Sequence, residues 1–301
     1  PVRDNGHSHF CVLPGLSPRC CSCGNIDGMV KSAAFDMKKK KISKAPVTEV
    51  QPVPAQPTPQ PPPPPPAPVV QVGPVFSWLD WSAFWTVTLA VLGVYFYTLA
   101  PTLTLEDSGE LATAGAFAGV PHPPGYPLWT MMCWVFTKVF SFVKYMGQPN
   151  PAWSIGFMSA FWGALAAGIG AMLVCRSGAD MLSSLESDVS QPLRSGLQKW
   201  VCWVGGVSGS ILFAFSPANW SQSVIVEIYS LNAFFLALIM ILAYTWLKHP
   251  TDKMLVVLSL CFGLGLTNYQ GLLILLPAII VLVLLKDINL FRDFVIGAIP
   301  F

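Results

Sequence analysis

Of 301 residues, 53% are hydrophobic and only 11% are charged, well under half the charged share of ordinary soluble domains, which argues against a soluble globular protein. The formal net charge is +2, and the one dense basic cluster, residues 38–41 with Lys44, is too local to make a nucleic-acid face. Residues 1–75 hold 8 basic and 4 acidic side chains and the remaining 226 residues only 9 and 11, so the later stretch reads as membrane-embedded.

In chain order, residues 1–36 contain His7, His9, Cys11, Cys20, Cys21 and Cys23, zinc-ligand types at spacings that fit no familiar site. This stretch reads as a disordered leader or upstream sequence, dispensable to whatever follows. Met37 opens a basic, proline-rich linker over residues 37–75, expected on the cytoplasmic side. Thirteen of the 28 prolines fall between residues 46 and 74, including the run 61–66, which removes backbone donors and predicts a stiff, extended tether. Cys133, Cys175, Cys202 and Cys261 sit singly in apolar runs, as small hydrophobes do, and suggest no disulfide framework.

A membrane domain is expected over residues 76–301. The first span is placed at 78–99, because about 20 apolar residues cross a bilayer as a helix and no charge occurs between Trp81 and Leu105. Trp78, Trp81 and Trp85 at one end and Tyr95 and Tyr97 at the other suit the two interfaces. Further apolar runs lie at 153–175, 200–217, 224–247, 254–268 and 271–285, and another starts near Phe294. The fold class is therefore an all-α, multi-pass transmembrane bundle, expected to be truncated at the C-terminal end of this sequence.

The ambiguous piece is 128–143, aromatic-rich and interrupted by Lys138. If it crosses, Arg176, Arg194, Lys199, Lys248, Lys253, Lys286 and Arg292 fall opposite the 38–41 cluster; if it does not, all share the cytoplasmic side, as the positive-inside tendency demands. The second arrangement makes 101–151 one external segment, with 128–143 lying along the interface. The N-terminus is then cytoplasmic.

That choice gathers the unexpected polar residues on one side. Asp107 and Glu110, three positions apart, share a face if the chain turns helical. They read either as a helix start close to a capping box or as a carboxylate pair, one member taking a proton from a hydroxyl while the other positions it or a divalent metal. Prolines at four of the seven positions 121–127 hold His122 in a rigid loop, where it is either structural or part of a site. Tyr126 either stacks on a sugar ring or anchors the loop. Glu227 lies inside an apolar run, where a carboxylate costs about 2.5–3.5 kcal/mol near the bilayer centre, so it belongs near the external end facing protein or a wet cleft. Asn219-Trp220-Ser221 matches a glycosylation triplet but sits too near the membrane surface to be a target. Asn268, Tyr269 and Gln270 break the apolar pattern between two runs.

The stretches Asp107-Ser108-Gly109-Glu110-Leu111 and His122-Pro123-Pro124-Gly125-Tyr126-Pro127-Leu128, with Glu227-Ile228-Tyr229-Ser230-Leu231-Asn232 and residues 263–273, resemble the membrane glycosyltransferase family of the GT-C superfamily that includes the O-mannosyltransferases of plexin-type receptors. The likeness covers residues 95–285. It implies an enzyme that moves a sugar, mannose in that branch, from a polyprenyl-phosphate carrier to a protein or glycan hydroxyl on the extracytoplasmic side. The membrane would be the bacterial inner membrane, or the endoplasmic reticulum in a eukaryote. By resemblance Asp107 is the catalytic acidic residue with Glu110 a close second, and His122, Tyr126, Glu227, Tyr229 and Asn268 bind substrate. The family commonly carries His after the Asn that matches Asn268, whereas Tyr269 follows here. The leaving phosphate needs positive charge, and the external side offers only Lys138, Lys144 and His122; an Arg beyond this sequence is the first expectation, a divalent ion on Asp107 and Glu110 the second. A transporter or lipid-carrier flippase would also accommodate Glu227, but with polar groups near the midplane and on both faces.

Overall fold

The computed structural model describes residues 73–104, 107–186 and 195–298. The leader, nearly all of the proline-rich linker, the 38–41 cluster, the candidate zinc ligands, Glu106 and Arg194 lie outside the described residues. In chain order the elements are α1 (Trp78–Tyr97), α2 (Ser108–Phe117), α3 (Pro127–Val139), β1 (Lys144–Tyr145), β2 (Gln148–Pro149), α4 (Pro151–Glu186), α5 (Ser195–Ala214), α6 (Pro217–Ser223), α7 (Tyr229–Lys248), α8 (Asp252–Asn268), a 3₁₀ turn (Gln270–Leu275), α9 (Leu276–Lys286) and α10 (Ile288–Ala298). Helices α1, α4 and α7 are long and apolar enough to cross a bilayer, and α5 with α6 makes a fourth span if the pair, bent by 68°, counts as one. The fold is thus an all-α membrane bundle, with one two-stranded hairpin among the described residues.

Helix α1 starts at a capping box: the Ser77 backbone N–H and hydroxyl donate to Asp80 Oδ2 at 2.7 and 2.8 Å, which satisfies a carboxylate buried at the helix entry. It packs along α4, where Ala160, Ala164, Ala167 and Ala171 are buried against Ala83, Val87, Val91 and Tyr95. In lipid, small residues at helical spacing let two helices gain van der Waals contact that larger side chains would prevent. Gly168 is the closest approach. A Cβ there would overlap Thr88 Oγ1 and lie 2.9 Å from the Phe84 carbonyl oxygen, which is backbone and cannot yield. Gly168→Val should therefore push α1 off α4 and destabilise the bundle by about 1–3 kcal/mol or more, read as a lowered thermal unfolding temperature in detergent. An unchanged midpoint would show that the helices separate at no cost.

Helix α4 has 36 residues and is about 54 Å long, well beyond a hydrocarbon core of about 30 Å. Its C-terminal turns carry Asp180, which meets Arg176 at 3.2 Å and also Lys248 and Tyr244 at the end of α7. At the other end, Ser159 of α4 donates to the Glu227 carbonyl just before α7, so α4 and α7 run parallel. Asn150 Nδ2 donates to the Pro101 carbonyl at 2.7 Å, which brings the end of α1 and the start of α4 together. The chain from 101 to 150 therefore leaves and returns at one end of the bundle. Within it α3, of 13 residues or about 20 Å, is shorter than a hydrocarbon core of about 30 Å.

Several expectations are corrected in detail. Tyr95 is not an interfacial anchor: it is fully buried, and its hydroxyl donates to the Ala214 carbonyl at 2.6 Å while accepting from Asn219 Nδ2 at 3.0 Å. That carbonyl is freed where α5 breaks before Pro217, so the buried tyrosine supplies the donor that the broken helix lacks. Tyr97, by contrast, is exposed. The apolar run 224–247 becomes helical only at Tyr229, leaving residues 224–228 irregular. The run 271–285 divides into the 3₁₀ turn and the 11-residue α9 rather than one full span.

Candidate functional site

Asp107 stands at the N-cap position of α2, but its side chain makes no capping hydrogen bond. The capping reading of this residue is thus not realised. Its carboxylate lines a cavity of about 280 Å³ with Leu111, His122, Tyr126, Gln222, Glu227, Ile228 and Tyr229. Five residues singled out from sequence, Asp107, His122, Tyr126, Glu227 and Tyr229, meet there from three separate stretches of chain.

Each stretch is placed by identifiable contacts. Helix α2 docks through Gly115, where a Cβ would lie 2.7 Å from Cys133 Cβ and 2.8 Å from Ile155 Cδ1. The loop before α3 turns at Gly125 (φ +89°), which donates to the His122 carbonyl at 3.0 Å, and at Tyr126 (φ +42°). Glycine meets the first left-handed position without steric cost. Pro127 then starts α3, where its missing N–H costs no intrahelical bond. The irregular segment 224–228 is tied down by its backbone: the Glu227 carbonyl accepts from Trp129 Nε1 at 3.2 Å and Ser159 Oγ at 3.1 Å, and the Val224 carbonyl from Ala100 N–H at 2.9 Å. These bonds replace the helical partners that a non-helical stretch inside a membrane protein would otherwise lack. The Glu227 carboxylate, 6% exposed as a residue, accepts the Ile228 N–H at 3.3 Å.

Glu110 does not join Asp107 in the cavity. Its Oε1 accepts the backbone N–H of His122 at 2.6 Å, and its Oε2 lies 3.3 Å from His122 Nδ1. These two bonds, the backbone one first, hold the Glu110 carboxyl below the usual carboxylate range. With the folded value lowered, the contact contributes its stability at neutral pH and loses it as pH falls through the acid range. On the far side of the ring, His122 Nε2 is 3.2 Å from the Tyr126 hydroxyl. Burial raises the Tyr126 phenol above its usual range, and the neighbouring phenols Tyr229 and Tyr269 and carboxylates Glu227 and Asp107 push the same way.

Asn268 is fully buried at the end of α8 and is not part of the cavity wall; both its amide atoms lack a hydrogen-bond partner among the described residues. The next residue connects it to the site, because the Tyr269 ring packs edge-on against Tyr229 at 5.7 Å. Lys138 lies over the Trp134 ring and Lys144 is exposed in β1, and neither lines the cavity. Among the described residues no group of three or more His, Cys, Asp and Glu side chains is arranged to hold a metal ion, and Glu110 is turned to His122. Asp107 and Glu110 therefore do not fit a shared divalent site.

Sequence reasoning missed Gln222, Trp129 and Ser159. Gln222 bridges the cavity to a larger apolar groove of about 850 Å³ between α4, α5, α6 and α7, and Tyr229 lines both. Its only sequence signal is a polar residue five positions before Glu227, in a short helix. Trp129 and Ser159 act through the backbone carbonyl of Glu227, which no residue pattern announces.

Residues 107–291 match the family described as Protein O-mannosyl-transferase TMEM260 N-terminal domain, a match that starts at Asp107 and includes every wall of the cavity. The chain belongs to this family. It is 28% identical over 201 residues to the mouse protein named Protein O-mannosyl-transferase TMEM260, covering 65% of this chain and 25% of that protein. It is 27% identical over 200 residues to the relative of the same name in Dictyostelium discoideum, covering 61% of this chain and 21% of that one. The chain thus spans about a quarter or less of the length of these relatives. No solved structure matches it.

Proposed function

We propose that this membrane domain forms the catalytic centre of a protein O-mannosyltransferase that moves mannose from a polyprenyl-phosphate carrier to a protein hydroxyl on the extracytoplasmic side. The observation that carries the reading is the juxtaposition of Asp107, Glu227 and Tyr126 in one cavity, beside a larger apolar groove with which it shares Gln222 and Tyr229 as walls. A polyprenyl phosphate has this division of chemistry, a polar sugar phosphate on a chain that prefers lipid-like surroundings. The names of the two relatives support the mannosyl and protein parts of the assignment.

In the proposed reaction an acceptor hydroxyl attacks the anomeric carbon, the bond from that carbon to the phosphate oxygen breaks, and polyprenyl phosphate leaves. Asp107 takes the hydroxyl proton as general base. Glu227 and Tyr229 order the sugar, and the cavity holds the reacting atoms close enough that the step becomes effectively unimolecular. For the charge of the phosphate the described cavity wall contains no Lys or Arg, and His122 is its one basic side chain. Transfer of radiolabelled mannose from a polyprenyl-phosphate donor by the full chain in membranes tests the assignment, with Asp107→Asn as control. Activity on a nucleotide-sugar donor alone would sink it.

The same reading places residues 1–36 as a leader, 37–75 as a cytoplasmic linker and 101–151 outside. Cysteines substituted at Met146, at the tip of the hairpin, and at Lys253, in the first turn of α8, should then react from opposite sides of the membrane. An impermeant thiol reagent applied to the extracytoplasmic face should label position 146 and spare 253, in a background with the native cysteines replaced. Labelling of 253 from that face would invert the orientation.

A further inference from the structure

We propose that Glu110 is a positioning residue that acts through His122 to fix the Tyr126 hydroxyl as a hydrogen-bond acceptor for a hydroxyl of the bound sugar. The proposal rests on the reading of this cavity as the transfer site. Glu110 itself is on the wrong side of the loop to touch a substrate there: its side chain is half exposed, and both its oxygens face His122.

The chain of contacts has a definite polarity. A carboxylate can only accept, so the Glu110 Oε2 to His122 Nδ1 contact places the proton of a neutral ring on Nδ1. Nε2 then carries the lone pair and accepts the Tyr126 O–H at 3.2 Å. The phenol proton is committed to His122, and the remaining lone pairs of the Tyr126 oxygen serve a donor in the cavity. A sugar hydroxyl is such a donor. The bond from Oε1 to the His122 backbone N–H at 2.6 Å anchors the loop itself, so ring and backbone are held by one side chain.

With the ring proton on the other nitrogen, Nε2–H would donate to the Tyr126 oxygen, occupy one of its lone pairs and leave the phenol proton turned toward the cavity. The titratable groups that face this chain are Glu110 on α2, Asp107 before it, Glu227 before α7, and Tyr229 and Tyr269 across the cavity. Of these, Glu110 is the group within hydrogen-bond distance of His122 Nδ1, so it sets the ring tautomer that orients the Tyr126 hydroxyl.

The test is a double-substitution cycle in the full chain in membranes, reading mannose transfer from a polyprenyl-phosphate donor. Glu110→Gln and Tyr126→Phe should each lower kcat/KM about tenfold, the scale of one hydrogen bond. The double variant should also lie about tenfold down rather than a hundredfold, because both changes remove the same interaction. A loop that Glu110 merely braces would give additive losses, about a hundredfold in the double variant, and that result overturns the proposal. If Glu110→Gln does not accumulate, Tyr126→Phe combined with His122→Asn gives the same cycle through the next contact. Absence of transfer from the wild-type chain would overturn the transferase reading with it. Transfer that depends on Asp107 but is indifferent to Glu110→Gln would overturn this proposal alone.

Discussion

Asp107→Asn is expected to remove most sugar transfer, on the order of 10²- to 10⁴-fold, with the protein accumulating at its normal level. The magnitude is that of a general base lost while the shape of the side chain is kept. The Asp107 side chain caps nothing, so the change cannot act by unravelling α2. Even at a true cap Asn would serve about as well as Asp. Donor binding should persist, because the apolar groove is untouched and Glu227, Tyr126 and Tyr229 still line the cavity. The measurement is transfer rate at saturating donor in membranes, with expression and thermal unfolding as controls. Turnover near wild type would take Asp107 out of the mechanism and leave Glu227 as the remaining carboxylate of the cavity wall.

The largest effect on stability is expected at Trp129. This side chain is fully buried in the cluster that joins α2, α3, α4 and α7, and truncation of a buried aromatic costs about 3–5 kcal/mol. Trp129→Ala also removes the Nε1 donor to the Glu227 carbonyl, so the irregular segment before α7 loses one of its side-chain ties and keeps those to Ser159. Trp129→Phe separates the contributions: it keeps most of the packing and loses only the hydrogen bond. The alanine variant should unfold at markedly lower temperature in detergent, while the phenylalanine variant should stay folded and lose transfer disproportionately. Equal unfolding temperatures for wild type and Trp129→Ala would mean that this cluster does not hold the site.

How much of this was visible beforehand differs residue by residue. Helices α1 and α4 follow from apolar length alone, because lipid leaves a backbone no option but to satisfy its own hydrogen bonds. The distribution of Lys and Arg suggests that 128–143 does not cross, and the bond from Asn150 to Pro101 shows that the chain leaves and returns at one end of the bundle. Tyr95 was misplaced because an aromatic near a helix end suits an interface by composition. What decides its burial is the unsatisfied Ala214 carbonyl, 119 residues away in sequence.

The site divides along the same line. The residue types that could do the chemistry were already present in sequence as the polar exceptions in an apolar chain, and Asp107, His122, Tyr126, Glu227 and Tyr229 do line one cavity. Spacing suggested that Asp107 and Glu110 act as a pair, since residues three apart share a helix face. The tertiary structure separates them, because the rigid loop 121–127 folds back over α2 and brings the His122 backbone N–H and ring to Glu110. By itself the sequence determined that the chain is a helical membrane protein and which of its side chains are out of place in lipid. Only the packing of distant segments decided which carboxylate faces the cavity and which faces a histidine, because hydrogen-bond partners across a bundle are set by three-dimensional proximity.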